Sequence, residues 1–303
     1  MISICTPVYN VVVIDLVKKL TTQSIQENIK IEILVFDDGS DLTIKNKNRS
    51  IEQLPNVIYY ESEINKGCAA IRNQMVKVAR YDNLLFIDSD SDIGNHYLRN
   101  YLAILNQHVI TCGGRIHPEK LPSFEYSLRW AVGKNREDYN ASQRLKVPNK
   151  SFMSNNFLVK RSFFEKITFD EEIKRSGHED TMMGIRMEEK NITIHHIDNP
   201  VIHIGLETNA DFLLKTQQRL ESLAYIYARD KNTSLMRKRI TLLRYFNLVH
   251  QFKLVNLLAL FFDLMQKNME KNLTSLKPSI LVYDFYKIGY FSKTTNQLSK
   301  TTY

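Results

Sequence analysis

The sequence predicts an α/β fold, with a mostly parallel β-sheet flanked by helices and a helical region at the C-terminal end. Two observations support this prediction. Short apolar segments alternate with amphipathic segments through the N-terminal half, and residues 211–303 follow helical spacing. Because 303 residues exceed the usual size of one domain, we predict a domain of residues 1–210 and a helical region of residues 211–303.

The predicted strands and helices of the N-terminal half follow a βαβα order. The strands are "MISIC" (1–5), "IEILVFDD" (31–38), "NVIYYES" (56–62), "NLLFIDSD" (83–90) and "HVITCGG" (108–114). Helical patterns lie near residues 11–23, 67–80 and 95–106. Parallel strands need crossover connections, which are usually helices, so this order favours a parallel sheet covered by helices.

The C-terminal region contains an amphipathic segment and an apolar segment. The first, "DFLLKTQQRLESLAYIYARD" (211–230), predicts a helix because its apolar residues recur at steps of three and four. The second, "LVNLLALFFDLM" (254–265), is interrupted by Asn256 and Asp263. It is also shorter than the roughly 20 residues that span a bilayer, so we predict no transmembrane helix there.

Charge is distributed unevenly along the chain. The formal net charge is +8, and the segment "MRKRITLLRYFNLVHQFK" (236–253) carries five cations and no acid. Such a balance favours a polyanionic partner. Two interpretations of these basic C-terminal helices stay open: peripheral contact with an anionic membrane, or a solvated face of a helical appendage.

The cysteines and the N-terminal residues predict the compartment. Cys5, Cys68 and Cys112 are odd in number and far apart, which is typical of reduced thiols in a cytosolic protein. The segment "MISICTPVYN" has no basic stretch before its apolar residues and resembles a strand more than a secretion signal. We therefore expect a cytoplasmic protein, with the inner face of the membrane as its place of peripheral contact.

Two acidic pairs follow predicted strands. Asp37 and Asp38 end the second strand, and Asp88 and Asp90 end the fourth. Ligands of open α/β sheets bind at the carboxyl ends of the strands, and crowded carboxylates need a compensating cation. Mg²⁺ and Mn²⁺ prefer oxygen ligands and are often shared with substrate phosphates. The alternative is a set of solvated turn residues, with Asp92 as a helix N-cap.

Six segments then carry a family resemblance. They are "TPVYN", "VFDDGS", "NKGCAAIRN", "IDSD", "SNNFLVKRSFFEKITFDEEI" and "GHEDTMMGIRM". In this order they resemble the motifs of inverting family 2 glycosyltransferases of the GT-A fold, over roughly residues 1–205. The resemblance implies a Rossmann-like nucleotide-binding half and a nucleotide-sugar donor. It assigns catalysis to residues 1–210.

The resemblance also implies a donor site. Pro7 and Tyr9 match residues that border the base, and Asp38 matches an acid that accepts a hydrogen bond from uracil. Arg72 matches a basic residue near the nucleotide, and Lys66 is placed to reach a phosphate. For Tyr9, Arg72 and Lys66, the alternatives are a core-covering aromatic ring and two solvated cations.

The remaining assignments concern the metal and the chemistry. By the resemblance, Asp88 with Ser89 contacts the ribose, while Asp90 and His203 bind a divalent cation, Mn²⁺ or Mg²⁺. In the Glu-Asp motif, Asp180 matches the catalytic base and Glu179 a supporting or acceptor-binding residue. A first-turn acid is alternatively explained by the helix dipole, and His203 by a structural role in a strand.

The sequence therefore predicts an inverting glycosyltransferase that uses a nucleotide sugar, with UDP as the expected nucleotide, and a glycan or lipid-linked acceptor of surface polysaccharide synthesis. Two alternatives belong to other classes. A metal-dependent nucleotidyltransferase also uses carboxylates and Mg²⁺, but no Gly-rich phosphate loop follows the first strand. A basic module that binds nucleic acid or an anionic surface leaves the ordered acidic motifs unexplained, so we expect no nucleic-acid partner.

Overall fold

The computed structural model describes residues 1–172, 178–229, 236–237 and 239–301. A few residues of the predicted features lie outside these ranges: Ile173 and Gly177 at the edges of two motifs, Asp230 at the end of the amphipathic segment, and Lys238 in the basic segment.

The main sheet has seven strands in the order β3-β2-β1-β4-β8-β6-β9. These strands are β1 (Ile2–Val8), β2 (Ile31–Asp37), β3 (Val57–Glu61), β4 (Asn83–Ile87), β6 (Ile110–Cys112), β8 (Asn156–Lys160) and β9 (His195–His196). Strands β1 to β4 pair in parallel, and β9 is parallel to β6. Strand β8 is antiparallel to β4 and β6. The predicted fold class, a mostly parallel sheet, is confirmed.

A second sheet has three strands, and the first of them directly follows Asp90 in the sequence. It consists of β5 (Ser91–Asp92), β10 (Val201–His203) and β7 (Arg115–Ile116), with β10 in the middle. The β10 strand is antiparallel to β5 and parallel to β7. It pairs His203 with Ser91, one residue after Asp90.

Helices cover the main sheet, as the βαβα order predicts. They are α1 (Ile14–Gln26), α2 (Leu42–Asn48), α3 (Cys68–Val78), α4 (Tyr97–Ala103), α6 (Ala141–Arg144) and α7 (Glu179–Glu189). Three of them, α1, α3 and α4, match the predicted helical patterns to within a few residues. Alternate strand residues enter different cores: Ile33 and Val35 pack in one cluster, whereas Leu34 and Phe36 pack in the other. Two apolar faces explain the unbroken apolar strands in the sequence.

The chain forms two compact units. The first contains the described residues of ranges 1–117, 137–174 and 179–205, and the second those of 118–136, 175–178 and 206–303. Residues 118–136, which include helix α5 (Ser127–Arg136), therefore belong to the unit of the C-terminal helices. The assignment of catalysis to residues 1–210 stays a prediction.

The second unit is helical, as predicted. It contains α5, α8 (Asn209–Arg229) and three further helices, Thr241–Gln251, Val255–Leu273 and Ile280–Thr301. Leu128 and Val132 of α5 pack in one cluster with Phe212, Phe262 and Tyr286. Among the described residues, no single helix has the length and apolarity needed to cross a bilayer. Thr241–Gln251 and Val255–Leu273 pass this test only together, as a pair bent by 116°.

Candidate active site

The first acidic pair shapes the loop that follows β2. Asp37 accepts hydrogen bonds from the Ser40 backbone N–H at 2.8 Å and from the Tyr59 hydroxyl at 3.3 Å. The chain turns at Gly39, between Asp37 and Ser40. The φ of Gly39 is +80°, and a Cβ at this position would lie 2.6 Å from backbone atoms of Ile64 and Asn65. No other residue type fits this turn without strain. Asp37 is thus a turn-stabilising residue.

Asp38 fixes the loop that leads into α3. It is 4% exposed, and its two oxygens accept the backbone N–H groups of Lys66 at 2.8 Å and Gly67 at 2.9 Å. Each carboxylate oxygen has a second lone pair, so these bonds leave acceptor capacity for a ligand. The contact of Asp38 with uracil stays a prediction.

Three further residues of the predicted donor site are exposed or partly exposed, and a fourth, Ser89, is buried. Tyr9, directly after β1, is 53% exposed, and Pro7 is partly buried. Lys66 is exposed and its ammonium donates to Gln74 at 3.2 Å. Ser89 is 9% exposed, between the two acids. Their roles in donor binding remain predictions.

Arg72 is the counter-ion of Asp88. Its guanidinium donates to Asp88 Oδ1 at 2.7 Å and lies 5.5 Å from the centre of the Phe169 ring. The side chain is 4% exposed, and its Nε and the other terminal nitrogen have no hydrogen-bond partner in the described part of the chain. Burial raises the pKa of Asp88; Arg72 opposes this effect and Asp90 adds to it. Arg72 is therefore a buried residue of the site and not a solvated cation.

Asp90 and His203 face each other. His203 Nε2 lies 3.0 Å from Asp90 Oδ2, and the other oxygen, Oδ1, is buried without a hydrogen-bond partner among the described residues. Gly205 allows this position, because a Cβ there would lie 2.7 Å from the Asp90 Cβ. Burial raises the pKa of Asp90, but the hydrogen bond and charge of His203 and the charge of Arg115 outweigh it, and the pKa is lowered.

These residues fit a divalent cation. An ionised carboxylate with a buried, unpartnered oxygen, next to an imidazole nitrogen, is an incomplete ligand set of the type that Mg²⁺ or Mn²⁺ completes with substrate phosphates. No group of three or more His, Cys, Asp or Glu side chains in the described ranges has the arrangement of a complete metal site. The predicted ligation by Asp90 and His203 therefore depends on further ligands from a substrate.

The Glu-Asp motif lies in the first turn of α7, as predicted. Asp180 Oδ2 accepts the Ser154 backbone N–H at 3.1 Å, whereas Oδ1 is buried without a partner among the described residues. Burial and the neighbouring Glu179 raise the pKa of Asp180 to about 6, and the charge of Arg72 opposes the increase. Such a carboxylate is ionised at neutral pH and is a stronger base than an ordinary aspartate.

Four side chains near Asp90 were missed by the sequence analysis. Arg115 donates to Glu137 at 2.7 Å, and its charge acts on both Asp88 and Asp90. His117 contacts His203 on one side and Asp138 on the other. The segment "GGRIH" after a predicted strand was the only sequence signal, since Glu137 and Asp138 come from a stretch without clear periodicity.

Comparison with known proteins identifies the family. Residues 3–168 match Glycosyl transferase family 2. Over 117 residues the chain is 32% identical to a poly(ribitol-phosphate) beta-glucosyltransferase of Bacillus spizizenii, which covers 37% of this chain and 18% of that protein. Over 118 residues it is 34% identical to an uncharacterized glycosyltransferase of Haemophilus influenzae, which covers 38% of this chain and 46% of that protein. The chain thus spans less than half of either relative.

Solved structures show the same fold. Residues 1–349 of S. aureus TarS align with a TM-score of 0.50 at 17% identity, over 100% of this chain and 92% of that one. The mannosyltransferase PcManGT from Pyrobaculum calidifontis, in complex with GDP-Man and Mn²⁺, aligns with a TM-score of 0.60 at 13% identity, over 98% and 86%. The fold is of the GT-A type. Since the family match covers more than half of the residues, this chain belongs to glycosyl transferase family 2.

Proposed function

We propose that this protein is an inverting, cation-dependent glycosyltransferase that moves a sugar from a UDP-sugar to a hydroxyl of a glycan or lipid-linked acceptor. The observation that supports this most directly is the pairing of Asp90 with His203 beside the Arg72–Asp88 ion pair. A relative acts, by its name, on poly(ribitol phosphate), and this favours a role in surface polysaccharide synthesis. The neighbour that holds GDP-Man and Mn²⁺ supports a nucleotide-sugar donor and a divalent cation.

In this proposal, Asp90 and His203 hold the cation and Asp88 contacts the ribose. A divalent cation held by Asp90 and His203 would supply Lewis-acid compensation of the negative charge on the departing nucleoside diphosphate. Arg72 keeps Asp88 ionised and in place through their 2.7 Å ion pair. The nucleotide base lies between Tyr9 and the loop of Asp38, and Lys66 reaches a phosphate.

Asp180 is the general base. Its carboxylate takes the proton of the acceptor hydroxyl while that oxygen bonds to the anomeric carbon and the bond from this carbon to the diphosphate oxygen breaks. One displacement inverts the anomeric configuration. A pKa of about 6 suits this task, because the group is deprotonated at neutral pH yet holds a proton more tightly than an ordinary aspartate. Glu179 orients the acceptor.

The test is a screen of nucleotide sugars for donor hydrolysis, with Mn²⁺ or with EDTA, on the wild-type protein, Asp90→Asn and Asp92→Asn. Asp92 is the matched control because it pairs with Lys19 at the surface. We expect cation-dependent hydrolysis of one UDP-sugar by the wild type and by Asp92→Asn, and its loss in Asp90→Asn. Equal activity in EDTA, or release of pyrophosphate from a nucleoside triphosphate, contradicts the proposal.

We also propose a cytoplasmic location with peripheral contact to the inner membrane face. The supporting observation is a surface that we name the apolar elbow, residues 245–264, where two helices meet at 116°. Its exposed apolar side chains are Tyr245, Leu248, Phe252, Leu254, Leu257, Leu260, Phe261 and Leu264. Soluble surfaces rarely collect so many large apolar residues in one place.

The charges next to the apolar elbow suit an anionic lipid surface. Arg244, Lys253 and Lys267 are exposed within or beside it, and its one acid, Asp263, pairs with Lys293 at 2.6 Å. Apolar side chains with basic neighbours are typical of helices that lie in the interface of an anionic bilayer. Arg237 of the predicted basic cluster has another role, since it donates to the Tyr227 hydroxyl at 2.9 Å and contacts that ring.

A further inference from the structure

A row of four side chains connects Asp138 with the predicted metal ligands. His117 Nδ1 lies 2.6 Å from Asp138 Oδ1, and His117 Nε2 lies 3.4 Å from His203 Nδ1. His203 Nε2 then lies 3.0 Å from Asp90 Oδ2. Both histidines are buried, at 2% and 4% exposure, and their rings are nearly perpendicular at 87°.

Asp138 holds His117 by two groups. Besides the ring nitrogen, the backbone N–H of His117 donates to the Asp138 carboxylate, at 3.1 and 3.2 Å from its two oxygens. Because the carboxylate accepts hydrogen bonds from both the backbone and the ring of His117, both the position and the orientation of the imidazole are fixed. The ring of His117 cannot turn over without losing the 2.6 Å hydrogen bond.

The contacts in this row determine which ring nitrogens of the two histidines carry protons when a cation is bound. An ionised carboxylate only accepts hydrogen bonds, so His117 Nδ1 carries the proton that faces Asp138. A cation on His203 Nε2 would leave the proton of that imidazole on Nδ1, which faces His117 Nε2 at 3.4 Å. His117 Nε2 is then the acceptor of this proton, as in a neutral imidazole that carries its own proton on Nδ1. A metal-binding histidine needs this tautomer.

We propose that His117 and Asp138 are positioning residues that hold His203 in the Nδ1–H tautomer, with Nε2 directed to a divalent cation shared with Asp90. The inference rests on the cation site of the proposed function and adds two residues to it. A purely structural role predicts something different: His203 would still donate Nε2–H to Asp90 in the presence of a cation, and the affinity for the cation would not depend on His117.

The first test measures Mn²⁺ binding in the presence of UDP, with no sugar transferred. Free Mn²⁺ is counted by electron paramagnetic resonance for the wild type, His203→Ala, His117→Phe, Asp138→Ala and the control His195→Ala. His195 is a suitable control because it stacks on His108 at 3.8 Å and does not belong to the row. We expect affinity to fall about 10- to 100-fold in His117→Phe and Asp138→Ala, the usual loss when a partner of a ligand is removed, and to stay unchanged in His195→Ala.

A conservative variant separates positioning from packing. In His117→Gln, the amide still offers one donor towards Asp138 and one acceptor towards His203. We expect it to bind Mn²⁺ more tightly than His117→Phe. Circular dichroism and thermal unfolding show which variants fold, and Asp138→Asn, which keeps an acceptor for the His117 backbone N–H, replaces Asp138→Ala if that variant does not.

The second test observes the tautomer directly. ¹⁵N-histidine spectra with Mg²⁺ and UDP, assigned by comparison with His203→Ala, are expected to show His203 protonated on Nδ1 and bare on Nε2. A proton on Nε2 overturns the proposal. So does unchanged Mn²⁺ affinity in folded His117→Phe and Asp138→Ala while His203→Ala loses binding, a result that leaves the proposed function standing. If the wild type with UDP binds no Mn²⁺, the cation site itself is wrong and both proposals fall.

Discussion

At the scale of single residues, the proposed role of Asp180 as the general base gives a direct test by substitution. Asp180→Asn keeps the shape of the side chain but removes its ability to accept a proton. We expect UDP affinity to stay unchanged and sugar transfer to fall by roughly 10²- to 10⁴-fold, the range for loss of a general base. Glu179→Gln is the matched neighbour and is expected to lower mainly the apparent acceptor affinity. A near-normal rate in Asp180→Asn, or a larger loss in Glu179→Gln, reverses the two assignments.

The same residue makes the fold sensitive to pH. The pKa of Asp180 rises from an ordinary 3.8 to about 6 in the folded protein, so the native state binds more protons than the unfolded state between these values. The free energy of unfolding therefore falls as pH rises through this window. Asp180→Asn removes the effect and should be more stable than the wild type at pH 7 by about 1–3 kcal/mol, with no gain near pH 3.5. Urea unfolding at both pH values measures this, and a variant that is less stable at pH 7 contradicts it.

The sequence predicted the positions of the candidate residues that belong to local motifs. Asp88, Asp90 and Asp180 occupy strand or helix ends because a short apolar segment or a helical spacing defines each end. His117 and its partners could not be predicted in this way. Contacts across 21 residues to Asp138 and 86 residues to His203 arise only when the sheets assemble, and no local spacing indicates them.

At the scale of elements, the close approach of Gly205 to Asp90 gives a test of the site. A Cβ in Gly205→Ala would lie 2.7 Å from the Asp90 Cβ and must displace it. We expect weaker Mn²⁺ binding in the presence of UDP, measured by calorimetry. Gly94→Ala is the control, because its added Cβ meets no atom within 4 Å. Equal loss in both variants would indicate a general effect on folding instead.

Strands with long apolar runs were predicted well, whereas some of the short elements were missed. Strands β1 to β4 carry apolar residues on both faces, a signal that a window of the sequence reveals. Helix α2 buries one residue, the polar Asn48, so it has no apolar face that a periodicity would reveal, and strand β9 has only two residues. The residues of strand β8 belong to one of the six motif segments. The position of this strand between β4 and β6 depends on pairing with residues that are distant in sequence, such as Phe86.

At the scale of the whole molecule, charge and exposed apolar area together predict membrane binding. Phe252→Ser with Leu264→Ser removes two side chains that are each 73% exposed in the apolar elbow. We expect binding to anionic vesicles to weaken on the order of tenfold, with transfer to a soluble acceptor intact. Ile64→Ser, which changes an apolar side chain of the other compact unit that is 68% exposed, is the control. Vesicle co-sedimentation measures the effect. A wild type that dimerises through this surface, or binds vesicles no better than the double variant, contradicts the proposal.

The boundary near residue 210 was predicted from chain length and from the helical spacing of residues 211–303, and both follow the order of residues in the sequence. The compact units do not follow that order. Residues 118–136 belong with the C-terminal helices because Leu128 and Val132 pack against Phe212 and Tyr286. That residues 118–136 belong to the second unit cannot be inferred from periodicity, since α5 has the pattern of any amphipathic helix.

Because residues 118–136 belong to the second unit, the protein cannot be divided or recombined at residue 210 alone. A fragment that ends at residue 210 keeps α5 but loses Phe262, Leu273, Tyr283 and Tyr286, the aromatic and aliphatic residues that cover it. Such a fragment should aggregate on expression, and one with Leu128→Ser and Val132→Ser should be more soluble, as size-exclusion chromatography would show. For the same reason, a chimaera that takes its C-terminal helices from another family member must take the segment 118–136 from the same parent.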